Sequence, residues 1–251
     1  MLTHDPEKKC IRSIQAYSDW QAGKISNIGK AESIDIEDVR FIPKILPPKM
    51  MPKRRSLSKK EGRIALIHSL AHIELNAINL SWDIIARFSA ENLPIKFYND
   101  WIKIAKEESE HFSLLNNRLK SLNSYYGSLV AHGEIWELSA KTNHNLLVRL
   151  AVIPMVLEAR GLDATPLIIE KLNSSGDKLS SSYLKKIYED EINHVAIGEY
   201  WFRWMCILEK KDPKNEWMRI VKNYIPSLIK PPLNLKARKK AGISEYMTDY
   251  I

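Results

Sequence analysis

Apolar residues recur every three or four positions over four long stretches of the chain, with charged and polar residues between them. These stretches are residues 61–88, 95–122, 143–171 and 180–209. This spacing is typical of amphipathic helices, and no stretch shows the sustained alternation of a half-buried strand. Four long helices predict an all-α fold, built as a four-helix bundle.

The segments that flank these helices are mixed in character. A shorter helix is predicted at 8–22, and Ser58 with Glu61 forms an S-x-x-E capping box before the first long helix. Prolines crowd residues 43–52 and 226–232, which prevents a continuous helix there. We therefore predict an N-terminal extension that wraps the bundle (1–57), the bundle itself (58–209) and an irregular C-terminal extension (210–251).

Two glutamates lie on the apolar faces of predicted helices. Residues at helical spacing from Glu74 and Glu158 are apolar: Ile67, Leu70, Ala71 and Ile78 for the first, Ala151, Pro154, Met155 and Leu162 for the second. A carboxylate that faces the core without a partner is strongly destabilising. Both glutamates therefore need a partner inside the protein.

The other two long helices each contain the spacing E-x-x-H, as Glu108 with His111 and Glu191 with His194. Residues at i and i+3 lie on one face of a helix, so a carboxylate and an imidazole can bind the same ion. Glu108 follows Glu74 by 34 residues, and Glu191 follows Glu158 by 33. Glu107 and Glu110 are alternative inward positions, although the spacing to His111 favours Glu108.

Two helical hairpins that each supply one Glu and one E-x-x-H give four glutamates and two histidines. This is the ligand set of ferritin-like di-iron and di-manganese bundles. Four carboxylates and two divalent cations are neutral together, and oxygen and nitrogen donors favour iron or manganese. We predict two metal ions, as Fe/Fe with Mn or Fe/Mn open, held by Glu74, Glu108, His111, Glu158, Glu191 and His194.

Three blocks of sequence resemble a bacterial ferritin-like family catalogued as domain of unknown function family 455. The blocks are HSLAHIELNAINLSWD (68–83), LEARGLDATP (157–166) and DEINHVAIGEYWF (190–202). The resemblance covers most of the chain and implies a ferritin-like four-helix bundle with a dinuclear site at the same six residues. It does not imply a substrate. A more distant similarity is to the di-iron tRNA hydroxylase.

Charge and composition indicate the cellular location of the protein and the classes of partner it can bind. The net charge is +8, with basic residues concentrated at 44–63 and 235–242, and such patches bind nucleic acid or form a solvated surface. The start lacks the apolar core of a signal peptide, no stretch reaches the length of a membrane span, and the two cysteines form no CxxC pair. We expect a cytoplasmic protein with no membrane partner; a homodimer stays open.

Other residues have weaker claims to function. His68 and His72 are either a second metal pair or hydrogen-bonded flank residues, and their angle from Glu74 favours the latter. Three aspartates are either hydrogen-bond acceptors for the ligand imidazoles or ordinary surface or capping residues, and the pattern favours the latter: Asp83, Asp163 and Asp190. His132 and His144 are predicted to be surface or loop residues. Four aromatic residues flank the site helices and either fill the core, which is favoured, or are redox-active or line a substrate pocket: Tyr188, Tyr200, Trp82 and Trp201. Pro154 predicts a kink one turn before Glu158.

Three functions follow from these patterns. The first is an O2-dependent oxidase or monooxygenase that acts on a small organic substrate at a di-iron centre. The second is a ferroxidase or iron-handling protein. The third is hydroxylation of a tRNA base, which the basic patches and the distant similarity suggest. The long extensions favour an enzyme over a storage subunit.

Overall fold

The computed structural model describes residues 3–29, 43–52, 56–225 and 229–248. The fold is all-α, as predicted. Its described part divides into two compact units, residues 1–136 and 137–251. No helix in the described residues has the length and apolarity to cross a membrane. Lys53, Arg54 and Arg55, which belong to the predicted basic patch at 44–63, lie outside the described residues.

The first unit is built on a helical hairpin of α2 (Lys60–Arg87) and α3 (Ile95–Ser121). Helix α1 (Pro6–Gln21) packs on this hairpin, mainly on α3. Two short strands, β1 (Ile45–Leu46) and β2 (Ala131–His132), pair in parallel, and a single 3-10 turn (Pro48–Met50) follows β1. The chain then enters α4 (Glu134–Lys141), and the boundary between the two units, after Trp136, falls within this helix.

The second unit is built on a hairpin whose first arm is interrupted. It consists of α5 (Leu146–Val152), a π-helical segment (Ile153–Glu158) and α6 (Ala159–Ser174), and the second arm is α7 (Lys178–Leu208). Gly176 ends α6 with a φ of 79°, and Asp177 caps α7 through the backbone N–H of Ser180. A link this short makes the two arms antiparallel.

Helix α1 is held on the first unit by polar contacts as well as by packing. Glu7 accepts from Asn116 (2.9 Å) and Lys120 (2.5 Å), and Trp20 donates to Asn99 (2.7 Å). Lys9, which is buried, donates to Asn79. The part of the N-terminal extension that forms α1 therefore covers the outside of the α2–α3 hairpin.

Two local predictions are wrong. Ser58 does not cap α2: Lys59 is the N-cap, with no side-chain hydrogen bond, and the Ser58 hydroxyl bonds to Ser56 (2.8 Å). The C-terminal segment is not wholly irregular, because it contains α8 (Pro213–Tyr224), α9 (Leu235–Lys240) and a 3-10 turn (Glu245–Met247). Asp212 as N-cap and Pro213 at the first helical position are the signals for α8 that the proline density outweighed.

Candidate metal centre

Three of the predicted ligands meet inside the first unit. Glu74 lies on α2, and Glu108 and His111 lie one turn apart on α3. Their exposed fractions are 5%, 1% and 0%. The apolar faces of the two helices pack together, which forces the polar side chains on those faces into a common buried space. One donor atom of each residue lies within 4.8 Å of the others, so the cluster can hold a metal ion.

His111 is the centre of this cluster. Its Nδ1 lies 3.3 Å from Oε2 of Glu74 and 3.5 Å from Oε2 of Glu108. Burial raises the pKa of Glu74 well above its ordinary value and repulsion from Glu108 raises it further, while the contact with His111 acts in the opposite direction. Two acids so close together in a dry space favour a proton or a cation between them.

The burial of α3 distinguishes the three glutamates of EESEH. Glu108 is buried, whereas Glu107 and Glu110 are only partly buried and form ion pairs with Lys103 (3.6 Å) and Lys106 (2.7 Å), each one turn earlier. The i−3 relation to His111 therefore selects the inward glutamate correctly.

The other three predicted ligands lie in the second unit. Glu191 and His194 are one turn apart on α7, with Oε1 of Glu191 3.6 Å from Nδ1 of His194. His194 is fully buried and Glu191 is partly buried. Glu158 ends the π-helical segment that packs against α7, and its Oε2 is closed to solvent.

At Pro154, where a kink was predicted, the structure has a π-helical segment. Proline has no N–H to donate to the carbonyl four residues earlier and its ring crowds that carbonyl, so an α-helical register fails at this point. A π-helical turn adds a residue to the turn and is frequent at functional sites. Glu158 is the last residue of this turn, so Pro154 changes the direction in which the Glu158 side chain leaves the helix.

Gly198 is a residue that the sequence reasoning missed. A Cβ placed on it would lie 2.5 Å from Cβ and 2.6 Å from Cγ of Pro154, so only glycine fits. Gly198 follows His194 by four residues, and Pro154 precedes Glu158 by four. In an antiparallel hairpin this contact brings Glu158 and His194 to the same level. The available signal was an isolated glycine inside a strongly helical pattern.

His68 and His72 are hydrogen-bonded structural residues, in agreement with the favoured interpretation. His68 Nε2 accepts from the backbone N–H of Gly127 (3.0 Å), and His72 Nδ1 bonds to the Tyr126 hydroxyl (2.8 Å). The Tyr126 ring stacks on both imidazoles, at 5.2 and 6.2 Å between centroids. Burial lowers the pKa of each histidine to about 4, so both are neutral. Together they fix the loop after α3.

Two of the aspartates considered as acceptors for the imidazoles form ion pairs with arginines. Asp83 forms a bidentate pair with Arg87 on the same helix, and Asp163 forms one with Arg238 of α9. Asp163 Oδ1 also accepts from the backbone N–H of Asn234. A role for Asp83, Asp163 or Asp190 as the acceptor for a ligand imidazole stays a prediction.

The remaining histidines and aromatic residues have ordinary surroundings. The His132 carbonyl accepts from His72, and His144 bonds to and stacks on Tyr224. Trp201 is buried between Tyr200 and Trp204, with centroids at 5.0 and 5.4 Å. Tyr188 accepts from Asn234, and Trp82 donates to Ser13. In α9 the lysines of the predicted basic patch, Lys236, Lys239 and Lys240, are exposed, while Arg238 is buried.

Comparison with known proteins places the chain in a family. The family described as "Protein of unknown function (DUF455)" matches residues 2–249. An uncharacterized protein of Haemophilus influenzae is 40% identical over 261 residues, which cover 100% of this chain and 90% of that protein. No solved structure matches. The chain is therefore a member of the DUF455 family.

Proposed function

We propose that this protein binds two metal ions through Glu74, Glu108, His111, Glu158, Glu191 and His194, and that it is an O2-dependent oxidase or monooxygenase of a small organic substrate. The observation that carries the proposal is the buried cluster of Glu74, Glu108 and His111. The second triad repeats its residue types and its spacing. Both triads would bind the same pair of ions.

Electrostatics supports a metal at these residues. Removing a carboxylate from water costs several kcal/mol even after the protein relaxes, and two neighbouring carboxylates also repel each other. The raised pKa of Glu74 reports both effects. Two divalent cations would balance four carboxylates, and the neutral imidazoles of His111 and His194 would add donors without adding charge. The set contains no thiolate, which favours iron or manganese over softer metals.

Each side chain has a separate task in this proposal. Glu74 and Glu158 would each supply a carboxylate ligand from one arm of a hairpin, while each E-x-x-H would supply a carboxylate and an imidazole from a single face of the other arm. Because a ligand must be deprotonated, the raised pKa of Glu74 would make metal binding weaker as the pH falls. When bound, two such ions supply the electrons and the open coordination position for O2 activation.

The coverage of both hairpins favours an enzyme over a storage protein. Helix α1 covers α3 in the first unit, and α9 packs on α6 and α7 in the second. Ferritin subunits are usually compact bundles, whereas this chain packs further helices on both of its hairpins. An enzyme needs such additional helices to enclose a substrate and exclude water.

The test is metal analysis of purified protein, with two variants of adjacent residues. We expect two iron or manganese ions per chain in the wild type, and loss of at least one in Glu108→Gln. Glu107→Gln is the matched control, since Glu107 pairs with Lys103 on the outside of the same helix. Unchanged metal content in Glu108→Gln would overturn the ligand assignment. Many irons per chain in a large assembly would indicate iron handling instead.

The reaction class is tested separately from the metal. Protein loaded with Fe(II) under nitrogen should consume O2 stoichiometrically when air is admitted, and faster in the presence of its substrate class. Loaded protein that leaves dissolved O2 unchanged would exclude the oxidase while leaving the metal site in place. Glu107→Gln should consume O2 as the wild type does.

A further inference from the structure

A segment of the C-terminal extension ties together the helices that carry the second triad. We call residues 234–244 the C-terminal strap. Asn234 is its first contact: its backbone N–H donates to Asp163 Oδ1 (2.8 Å), and its side-chain amide donates to the Leu162 carbonyl (3.2 Å) and to the Tyr188 hydroxyl (3.0 Å). Leu162 and Asp163 are on α6 and Tyr188 is on α7. One side chain therefore bridges the two arms of the hairpin.

Arg238 makes the second contact of the strap. Its Nε donates to Asp163 Oδ1 (2.9 Å) and its Nη2 donates to Oδ2 (2.6 Å). Arg238 is 3% exposed, and the Asp163 side chain is 11% exposed. A bidentate pair fixes the orientation of both groups, and burial shields it from salt and water. The strap is therefore attached rigidly to α6.

The third contact lies at the other end of the strap. Ser244 accepts from Nη2 of Arg203 (2.5 Å), and Nε of Arg203 also donates to Glu199 on α7. Glu199 is 7% exposed and reaches Gly242, where a Cβ would lie 3.5 Å from its Oε2. The strap thus touches α7 both before and after the triad residues of that helix.

The contacts of the strap lie close in sequence to the predicted ligands, on both sides of Glu191 and His194 in α7 and after Glu158 in α6. Leu162 follows Glu158 by one turn of α6, and Tyr188 precedes Glu191 by one turn of α7. Glu199 follows His194 by little more than one turn. We propose that the strap sets the separation of the Glu158 helix from the Glu191 and His194 helix, with Asn234 and Arg238 as positioning residues for the metal centre.

This inference rests on the proposed function, because positioning matters only if the triad binds an ion. Its physical basis is that metal–ligand distances are fixed within about 0.2 Å, so a small movement of one helix removes a ligand. Groups that orient ligands through hydrogen bonds change metal affinity by about 10–100-fold when they are removed.

The experiment measures binding of Co(II), whose visible absorption reports coordination geometry, to the full-length protein. The variants are Asn234→Ala, Arg238→Met and Tyr188→Phe, the last of which keeps the aromatic ring and removes only the hydroxyl that accepts from Asn234. Arg87→Met is the matched control. It also deletes a bidentate arginine–aspartate pair, but both partners lie on α2, so the pair joins no two helices.

We expect Asn234→Ala and Arg238→Met to weaken Co(II) binding by about 10–100-fold and to change the spectrum of the bound ion. Tyr188→Phe should act in the same direction with a smaller effect. Arg87→Met should lower thermal stability yet leave the affinity and the spectrum as in the wild type. Far-UV circular dichroism at the titration temperature verifies that each variant is folded.

The outcomes separate the two proposals. Wild-type protein that binds no Co(II), Fe(II) or Mn(II) overturns the proposed function and this inference with it. Wild-type binding with unchanged affinity and spectrum in both strap variants overturns the inference alone. If Arg87→Met weakens binding as much as Arg238→Met does, the effect is a general loss of stability, and the strap has no positioning role.

Discussion

Replacing Gly198 by alanine tests the geometry of the second hairpin at its closest approach. The new Cβ would lie 2.5 Å from Cβ and 2.6 Å from Cγ of Pro154. Carbon atoms normally approach to about 3.5–4.0 Å. The two helices must therefore separate by roughly 1 Å, because neither the proline ring nor the α7 backbone can rotate away.

The expected free energy combines two opposing effects. Gly→Ala in a helix interior ordinarily stabilises by about 1 kcal/mol. Overpacking of a tight contact costs about 1–3 kcal/mol. The net change for Gly198→Ala is then a loss of up to about 2 kcal/mol. Gly161→Ala in α6 is the control, since nothing lies within 4 Å of its Cβ and it should stabilise the protein by about 0.5–1 kcal/mol.

The assay is urea denaturation of both variants in the absence of metal, followed by metal titration. Gly198→Ala should unfold at a lower urea concentration than Gly161→Ala, and its free energy of unfolding should be lower by about 0.5–3 kcal/mol. It should also bind metal more weakly, because a 1 Å separation of Glu158 from His194 exceeds the tolerance of a metal–ligand bond. Equal stability and equal metal affinity in the two variants would refute the close contact as a determinant of the site.

Three further predictions concern other buried groups. Burial lowers the pKa of His68 from 6.5 to about 4, so the unfolded protein binds a proton that the folded protein does not, and stability falls as the pH drops from about 6.5 to about 4. In urea unfolding, the loss of free energy of unfolding between pH 7 and pH 4.5 should be smaller in His68→Asn than in the wild type, by up to about 3 kcal/mol. Without metal, Glu74→Gln should be more stable than the wild type by about 1–2 kcal/mol, because the variant buries no acid. Mn(II) should raise the melting temperature of the wild type but not that of the variant. A variant less stable than the wild type would contradict the cost assigned to the buried acid. Arg149→Met should destabilise the protein by about 2 kcal/mol in urea, since the buried hydrogen bonds from the guanidinium to Thr142 Oγ1 and to the Ser139 carbonyl are lost; a change below about 0.5 kcal/mol would contradict it.

The long helices were predictable because their stability comes from local patterns. Apolar spacing defined 61–88 and 95–122, and the structure has α2 at Lys60–Arg87 and α3 at Ile95–Ser121. The interruption at Pro154 was also local, since it follows from the missing N–H. The close packing of Pro154 against Gly198 was not predictable, because it joins residues 44 positions apart on two helices.

The residues of the first triad were predictable from helical phase and spacing alone. A glutamate on an apolar face and an E-x-x-H on the next helix are enough to place Glu74, Glu108 and His111 in one buried cluster. The partners of Asp163 were not predictable, since Arg238 lies 75 residues away and the contact depends on the path of the tail. Sequence patterns identify which side chains face inward, but long-range polar pairs are settled by tertiary packing.

The central claim is that six side chains hold a pair of metal ions. Anomalous X-ray diffraction from crystals of metal-loaded protein tests it most directly. The account predicts two anomalous peaks, each about 2.0–2.5 Å from glutamate oxygens and from one histidine nitrogen of the set Glu74, Glu108, His111, Glu158, Glu191 and His194. Peaks confined to surface residues, or none at these six side chains in protein shown to be loaded, would contradict it.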